Sequence, residues 1–478
     1  YLSPVLESLL DSKDIISGRL ITDSDNEYYC DSKNFEILLR LKRADAIPQF
    51  EPLEVEYLSL FMAHFNELTR PSNSVEGLFK SLERLLCLPL PAELWESDIL
   101  PARSSQYRGS WLDTIMREGD LRWLGFENRK TAFCFEPELD LIMNGSEEKD
   151  SRDEPKRETE QTKFNDIADL FPVAKGKYDF FSLMELSRTN AESLSDRLWN
   201  AVWQSKISND TFAALRKGIE NKFMIPNVST GGYSSRRTGR RRVSRTGFTR
   251  WKGSLPYAGN WFRLPEVDQN GDLLDLEELK KDRVRLLLDR YGILFRELFQ
   301  KELRIFSWHE LFRSMRLMEL SGELLAGYFF KGVSGPQFIS HQAFRLLQKI
   351  PVERRVIYWI NAVDPVSLCG IRIDSDKNFL PRRLPGNHLV YNGKELVLIS
   401  ERSGRSLTIN VPFDDPDIQE YFCSLRHLLA REFKPMKYIT IETINDVDAV
   451  KSPYVDALKV SFDVMLDHRK VTLYRKRQ

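Results

Sequence analysis

Between Asn221 and Pro265 the chain carries ten lysines or arginines and no acidic residue. Eight of them cluster as Arg236, Arg237, Arg240, Arg241, Arg242, Arg245, Arg250 and Lys252. Guanidinium groups pair bidentately with phosphate oxygens, and each phosphate they neutralise releases counterions. Glycine and serine between the cations keep the backbone adaptable. Trp251, Tyr257 and Trp261 flank the run with rings suited to stacking on unpaired bases. The pattern points to nucleic-acid contact. The competing reading is a solvated loop balanced by acids elsewhere, such as segment 145–163, where twelve of nineteen residues are charged.

Other chemistries lack their residues. Cys30, Cys87, Cys134, Cys369 and Cys423 are too far apart for a Cys-x-x-Cys pair, and the six histidines are equally scattered. Reduced, buried thiols in a cytoplasmic protein are expected. The chain has no Walker-type nucleotide loop, and Gly332-Val333-Ser334-Gly335-Pro336 fails as a serine-hydrolase elbow. Asp364 before Pro365 and the Asp414-Asp415 pair read as turn residues. Seventy basic residues balance seventy acidic ones in 478, so net charge does not identify a partner. No stretch approaches the ~18 apolar residues of a membrane span. The chain opens Tyr1-Leu2-Ser3-Pro4 without an initiator Met, so a segment of a longer protein is expected.

The elements that must position these residues recur. Before 351 the text repeats an amphipathic helix, a tight turn, a short strand, a polar tip and a returning strand. Copies begin near Val5, Trp111 and Phe312, with a weaker one at Leu198 to Gln204 followed by Ile207. This is the winged variant of the helix-turn-helix. Its third helix faces what the module binds, which nominates Arg103, Arg108 and Arg117 in one copy and His309, Arg313 and Arg316 in another. Winged helices also serve as protein-contact modules. The aromatic runs Tyr328-Phe329-Phe330 and Phe180-Phe181 read as core. Gly292 is placed to end the helix over 276–291, and Ser307 with Glu310 reads as a capping box for the next. After 351 six strands are expected, over 356–361, 387–392, 395–400, 405–411, 437–444 and 470–475. Asn392-Gly393 is a hairpin signal, and two helices span 416–433 and 453–462.

The expected architecture is an α+β multidomain chain of tandem winged-helix modules followed by a small β-barrel-like domain. Its parts are a partial winged helix (1–50), a winged helix (51–144), a charged linker (145–163), a winged-helix-like module (164–225), a basic loop (226–265), a winged helix (266–350) and the β-barrel-like domain (351–478).

The run from Leu88-Pro89-Leu90-Pro91 through Trp95-Glu96-Ser97-Asp98-Ile99 to Arg103 resembles the carboxy-terminal half of the large helicase-related (Lhr) family. So do Ser208-Asn209-Asp210-Thr211-Phe212, the segment Leu288 to Glu297, Gly327-Tyr328-Phe329 with Gln337-Phe338, Asp364-Pro365 and Glu401 to Leu407. The matches run in order along nearly the whole chain. The resemblance implies a nucleic-acid-binding accessory region of an ATP-dependent DNA helicase in DNA repair. The motor, with its ATP and Mg, would precede this segment, which itself would hold no cofactor. Implied partners are single-stranded DNA, the amino-terminal helicase core and further copies of the chain, with no membrane. The alternatives are a DNA uracil glycosylase, whose acid would be Asp467, and an oligomerisation scaffold. The family's Gly-Arg-Trp is Gly259-Asn260-Trp261 here.

Overall fold

The computed structural model describes residues 2–22, 24–46, 50–143, 170–173, 175–224, 258–265, 272–350, 355–373 and 380–476. Segment 145–163 and the cations from Arg236 to Lys252 lie outside them.

Two modules have helices feeding a three-stranded sheet. In the first, helices Glu56–Phe65, Val75–Glu83 and Gly109–Glu118 precede the antiparallel wing strands Leu121–Phe126 and Lys130–Phe135. Leu90–Pro91 pairs outside the second of these, giving the order first strand, last strand, middle strand. The Ser74 hydroxyl caps Val75–Glu83 by accepting from the Gly77 amide, the usual use of serine at a helix start. In the second, helices Leu273–Tyr291 and Trp308–Ser321 surround strands Ile293–Leu294, Leu324–Gly327 and Gln337–Ser340 in the same order. Gly292 ends the long helix as expected. Its φ is 74°, and a Cβ there would stand 3.1 Å from the Phe65 ring, so glycine meets both a conformational and a packing demand. Ser307 does occupy the cap position of Trp308–Ser321, but its side chain makes no capping bond. A smaller pair, Ile15–Gly18 with Tyr28–Asp31, lies between helices Leu2–Asp11 and Ser32–Ala46.

A third unit repeats the sheet order. Tyr178–Asp179 and Ile207–Asn209 flank a central strand, Asn260–Arg263, behind helices Phe180–Ser187 and Ala191–Trp203. Helix Phe212–Glu220 and, in chain order, the basic run fall between the unit's last two strands. Within the basic loop expected over 226–265, residues 260–263 are a strand that completes the sheet of the unit before it.

From Ile357 onward the chain forms two sheets. One has six strands in the order Ile357–Asn361, His388–Asn392, Glu395–Glu401, Ser406–Ile409, Thr443–Ile444 and Val447–Asp448. It is antiparallel except where Ser406 and Leu407 run parallel to Thr443 and Ile444. The other has three, Ile439–Ile441, Val471–Arg475 and Phe462–Leu466. Among the described residues the strands do not close into a barrel. The break comes at Glu442, between Ile439–Ile441 in one sheet and Thr443–Ile444 in the other. Phe462–Leu466 adds an unexpected strand directly after helix Val455–Ser461, which lies within the helix expected over 453–462.

The units dock through buried polar groups. Arg103, wholly buried, donates from both terminal nitrogens to Asp364 at 2.7 and 3.0 Å, and also to the Ile99 carbonyl. Arg103 is thus no part of an exposed binding face, and Asp364 is more than a turn residue. Arg290, equally buried, donates to Glu302 at 2.6 Å and to the Leu86 carbonyl. Against the wing strand Leu121–Phe126 the third unit approaches so closely that a Cβ at Gly125 would meet the Val202 carbonyl at 2.6 Å. Cys87 and Cys134 are buried thiols hydrogen-bonded to each other at 3.2 Å without a disulfide, while Cys30 and Cys423 are half-buried.

Removing one member of a buried ion pair strands the other, at a cost of about 3–5 kcal/mol. Arg103→Met or Asp364→Leu alone should each lower the melting temperature and open the chain to limited proteolysis. The double variant should lose less than the sum. Additive losses in a double-mutant cycle would show that the pair does not couple the two domains.

Candidate nucleic-acid interface

Cations of the first and third units stand at the two ends of one wing. The wing of the first module turns at Asn128 and Arg129, both in the left-handed region, which turns Arg129 and Lys130 out into solvent. The Arg129 guanidinium lies 5.0 Å over the Phe223 ring. Phe223 is one residue before Met224, where the described chain stops ahead of the basic run. At the other end of the same wing, Arg122 and Lys177 stand 5.7 and 5.5 Å over Phe262, just after the chain returns. Exposed Lys175 and Lys222 add charge. The short wing is cationic at its tip, and the described chain stops beside it at Met224, ahead of the arginine run in sequence.

The expected residues fare unevenly. Arg236, Arg237, Arg240, Arg241, Arg242, Arg245, Arg250, Trp251 and Lys252 lie outside the described residues, as does Tyr257. Trp261 is fully buried and meets Trp199 edge to face at 5.5 Å. It belongs to the core of the third unit, so its expected stacking on bases is corrected. Asn260, in place of the family's arginine, bonds Asp210 through its backbone and side-chain nitrogens at 2.7 and 2.8 Å. Arg313 is exposed on helix Trp308–Ser321. Arg316 pairs with Glu36 at 3.5 Å, and Arg40 with Glu319 at 3.7 Å, so helix Ser32–Ala46 covers part of that face. Helix Gly109–Glu118 is likewise engaged, with Arg216 of the third unit 3.1 Å from Asp113. Exposed Asp467 sits in the hairpin turn before the last strand, accepting from the His468 amide at 2.7 Å. Of the aromatic runs, Phe329, Phe330 and Phe180 are core as expected, while Tyr328 and Phe181 are exposed.

Sequence reasoning missed Arg122, Arg129, Lys130 and Lys177. The wing tip Asn128-Arg129-Lys130 was the available signal. The packing of that wing against the third unit is tertiary.

The Lhr-like stretch Trp95–Ile99 forms one turn of π-helix, a feature often found at functional positions. It sends two carboxylates to different neighbours. Glu96 accepts from Tyr107 at 2.7 Å and from Arg216 at 2.7 and 2.8 Å. Asp98 accepts from Ser97 at 2.6 Å and Arg431 at 3.1 Å, and faces His388 Nε2 at 2.8 Å. His427 bonds the Ser97 carbonyl and stacks near Trp359, with ring centres 4.3 Å apart. Burial opposes ionisation of Asp98, but the charge and hydrogen bonds of His388 and His427 outweigh it and hold the carboxyl well below its usual range. A carboxylate this enclosed and this fully partnered serves as a fastening between units.

These features define a winged-helix array joined to a β-rich domain. Winged-helix domain models of the large helicase-related protein match residues 54–137 and 274–356. The chain is 25% identical over 478 residues to the Lhr helicase/probable uracil glycosylase of Mycolicibacterium smegmatis, covering 95% of this chain and 30% of that protein. It is 24% identical over 409 residues to the Lhr helicase/uracil glycosylase of Escherichia coli, covering 80% and 25%. The chain belongs to the Lhr family, as a carboxy-terminal region, and spans less than a third of the length of these relatives. A looser likeness is to the Streptomyces sahachiroi DNA glycosylase AlkZ, with TM-score 0.38, 10% identity, and coverage of 79% of this chain and 97% of that one. Overlap of that degree does not define a shared fold. No helix among the described residues is long and apolar enough to cross a membrane.

A carboxyl whose value is depressed by folding stabilises above its unfolded value of about 4, and that stabilisation is lost as pH falls below it. Acid unfolding of the Asp98 junction should therefore begin below about pH 4, and Asp98→Asn should flatten that part of a melting-temperature profile. An unaltered profile in the variant would assign the acid sensitivity to other carboxylates.

Proposed function

We propose that this chain is a DNA-binding accessory region of an Lhr-family ATP-dependent helicase acting in DNA repair, and that single-stranded DNA is its ligand. One observation carries the reading. In chain order the arginine run falls between the last two strands of the third unit, and the neighbouring wing brings Arg129 over Phe223, just before the described chain stops. Wings reach along a nucleic-acid backbone, and arginines there neutralise phosphates without reading bases. Both helix faces that would enter a groove are partly taken by neighbouring units, which favours backbone contact by the wings. The ATPase motor, its ATP and Mg, and the helicase core belong to the remainder of the parent protein, which acts in the cytoplasm. Self-association would add further wings to one strand.

A second reading is favoured by the names of both relatives, which include uracil glycosylase. That chemistry needs an extruded base and a carboxylate beside it. Asp98 is buried and bridged, whereas Asp467, the acid this reading would use, lies exposed in a hairpin turn. Incubation with a uracil-containing oligonucleotide decides it. Release of free uracil, lost on a substitution within this chain, would replace the first reading.

For the first reading, Arg240→Ala, Arg241→Ala and Arg242→Ala together should weaken single-strand binding. They should also flatten its log–log salt dependence by about 0.7 for each phosphate that the chain then leaves to its counterions. Sequence preference should hardly move. An unchanged salt slope with intact folding would remove the run from the interface.

A further inference from the structure

We propose that the outer face of the carboxy-terminal three-stranded sheet is a second site for single-stranded nucleic acid, one that stacks unpaired bases on Tyr438 and Tyr474. The inference rests on the nucleic-acid reading above but on separate residues. Strand alternation makes the geometry explicit. Ile439 pairs with Leu473 and Ile441 with Val471, and these four buried side chains make the inner face. Thr440, Thr472 and Met465 therefore stand in one row on the outer face, and Tyr474 opposes Asp463 in the next. Tyr438 continues that row, with its ring centre 6.0 Å from that of Tyr474. The two rings are 53% and 38% exposed and Met465 is 59% exposed, so this sheet turns aromatic and apolar surface to solvent where threonine or charge would be usual.

The charges around the rings select the occupant. On the central strand Lys470, Thr472, Tyr474 and Lys476 recur at every second position, so the two lysines bracket the tyrosine over roughly 20 Å. Lys437 is exposed next to Tyr438. Lys470 is balanced by Glu442 at 3.0 Å and Lys476 donates to the Val460 carbonyl at 3.0 Å, whereas exposed Lys437 adjoins Tyr438 in sequence. Paired rings flanked by lysines suit a strand whose bases lie on the sheet and whose phosphates run past its rim, and an apolar protein partner would not call for the cations. Asp463 stands beside Tyr474 on the edge strand. A carboxylate there repels phosphate but accepts from the exocyclic amino groups of cytosine, adenine or guanine. Phosphates should accordingly pass on the Tyr438 side, and homopolymers bearing amino groups should be preferred to oligothymidine.

The test uses the whole chain and fluorescence anisotropy with three ligands of equal length: a single strand, an abasic strand and a duplex. Tyr438→Ala with Tyr474→Ala should cut single-strand affinity by about tenfold per ring, leave duplex and abasic binding unchanged, and preserve the salt slope, since stacking releases no counterions. Phe at both positions should retain binding. Equal losses on all three ligands, or no loss on any, would overturn the site. Loss of self-association with binding intact would make the face a protein contact and overturn it too. If the arginine-run variant alone loses binding, the platform falls and the proposed function stands. If the unmodified chain binds none of the three, the proposed function falls with it.

Discussion

The arrangement of the units depends on one buried loop, Asn361 to Cys369, which leaves the β-rich domain and is enclosed along its whole length. Burying irregular backbone is costly unless every carbonyl finds a donor. Here three basic side chains, Arg103, Lys301 and Arg383, serve the loop's carbonyls and its one carboxylate. Arg103 of the 54–137 module takes the Asp364 carboxylate, Lys301 of the 274–356 module donates to the carbonyls of Pro365 and Ser367, and Arg383 donates to those of Ala362, Val363 and Asp364. Each donor serves groups that water would otherwise have to serve. The loop and the modules are therefore enclosed together, and the angle between winged helices and β domain is fixed by hydrogen-bond geometry as well as by apolar contact.

That constraint explains how the array uses its recognition helices. In a free winged helix the third helix is the exposed face. Here Gly109–Glu118 meets Arg216, and Trp308–Ser321 meets Glu36 and Arg40. Successive units pack on the very surfaces that would enter a groove, while the wing tip over 127–130 stays in solvent.

Much of the fold was legible because period and punctuation are local. The Gly292 stop, the Asn392-Gly393 hairpin and the helix-strand-strand text each follow from a few neighbouring residues. What was not legible is what charge does at a distance. Arg103 and Arg313 look alike in sequence, yet one is sealed against a carboxylate 261 positions away and the other faces water. Trp261, at the end of a basic stretch, reads as a stacking ring until its strand is seen to be the middle one of its sheet. The Asp98 junction draws on histidines about 290 and 330 residues downstream, and no local signal marks it.

The order of strands in the third unit has a consequence for how the protein is made. Its central strand, Asn260–Arg263, is the last of the three to leave the ribosome, after helix Phe212–Glu220 and the entire arginine run. Until then Tyr178–Asp179 and Ile207–Asn209 have nothing between them to pair with. At synthesis rates of about 5–20 residues per second, the nascent unit spends seconds as two unpaired edges attached to a cationic tail. Loop-closure entropy grows only slowly with length, so the run can lengthen or shorten between relatives without displacing the strand that seals the sheet. The same topology that frees this segment to vary makes its synthesis a precondition for folding the unit that carries it.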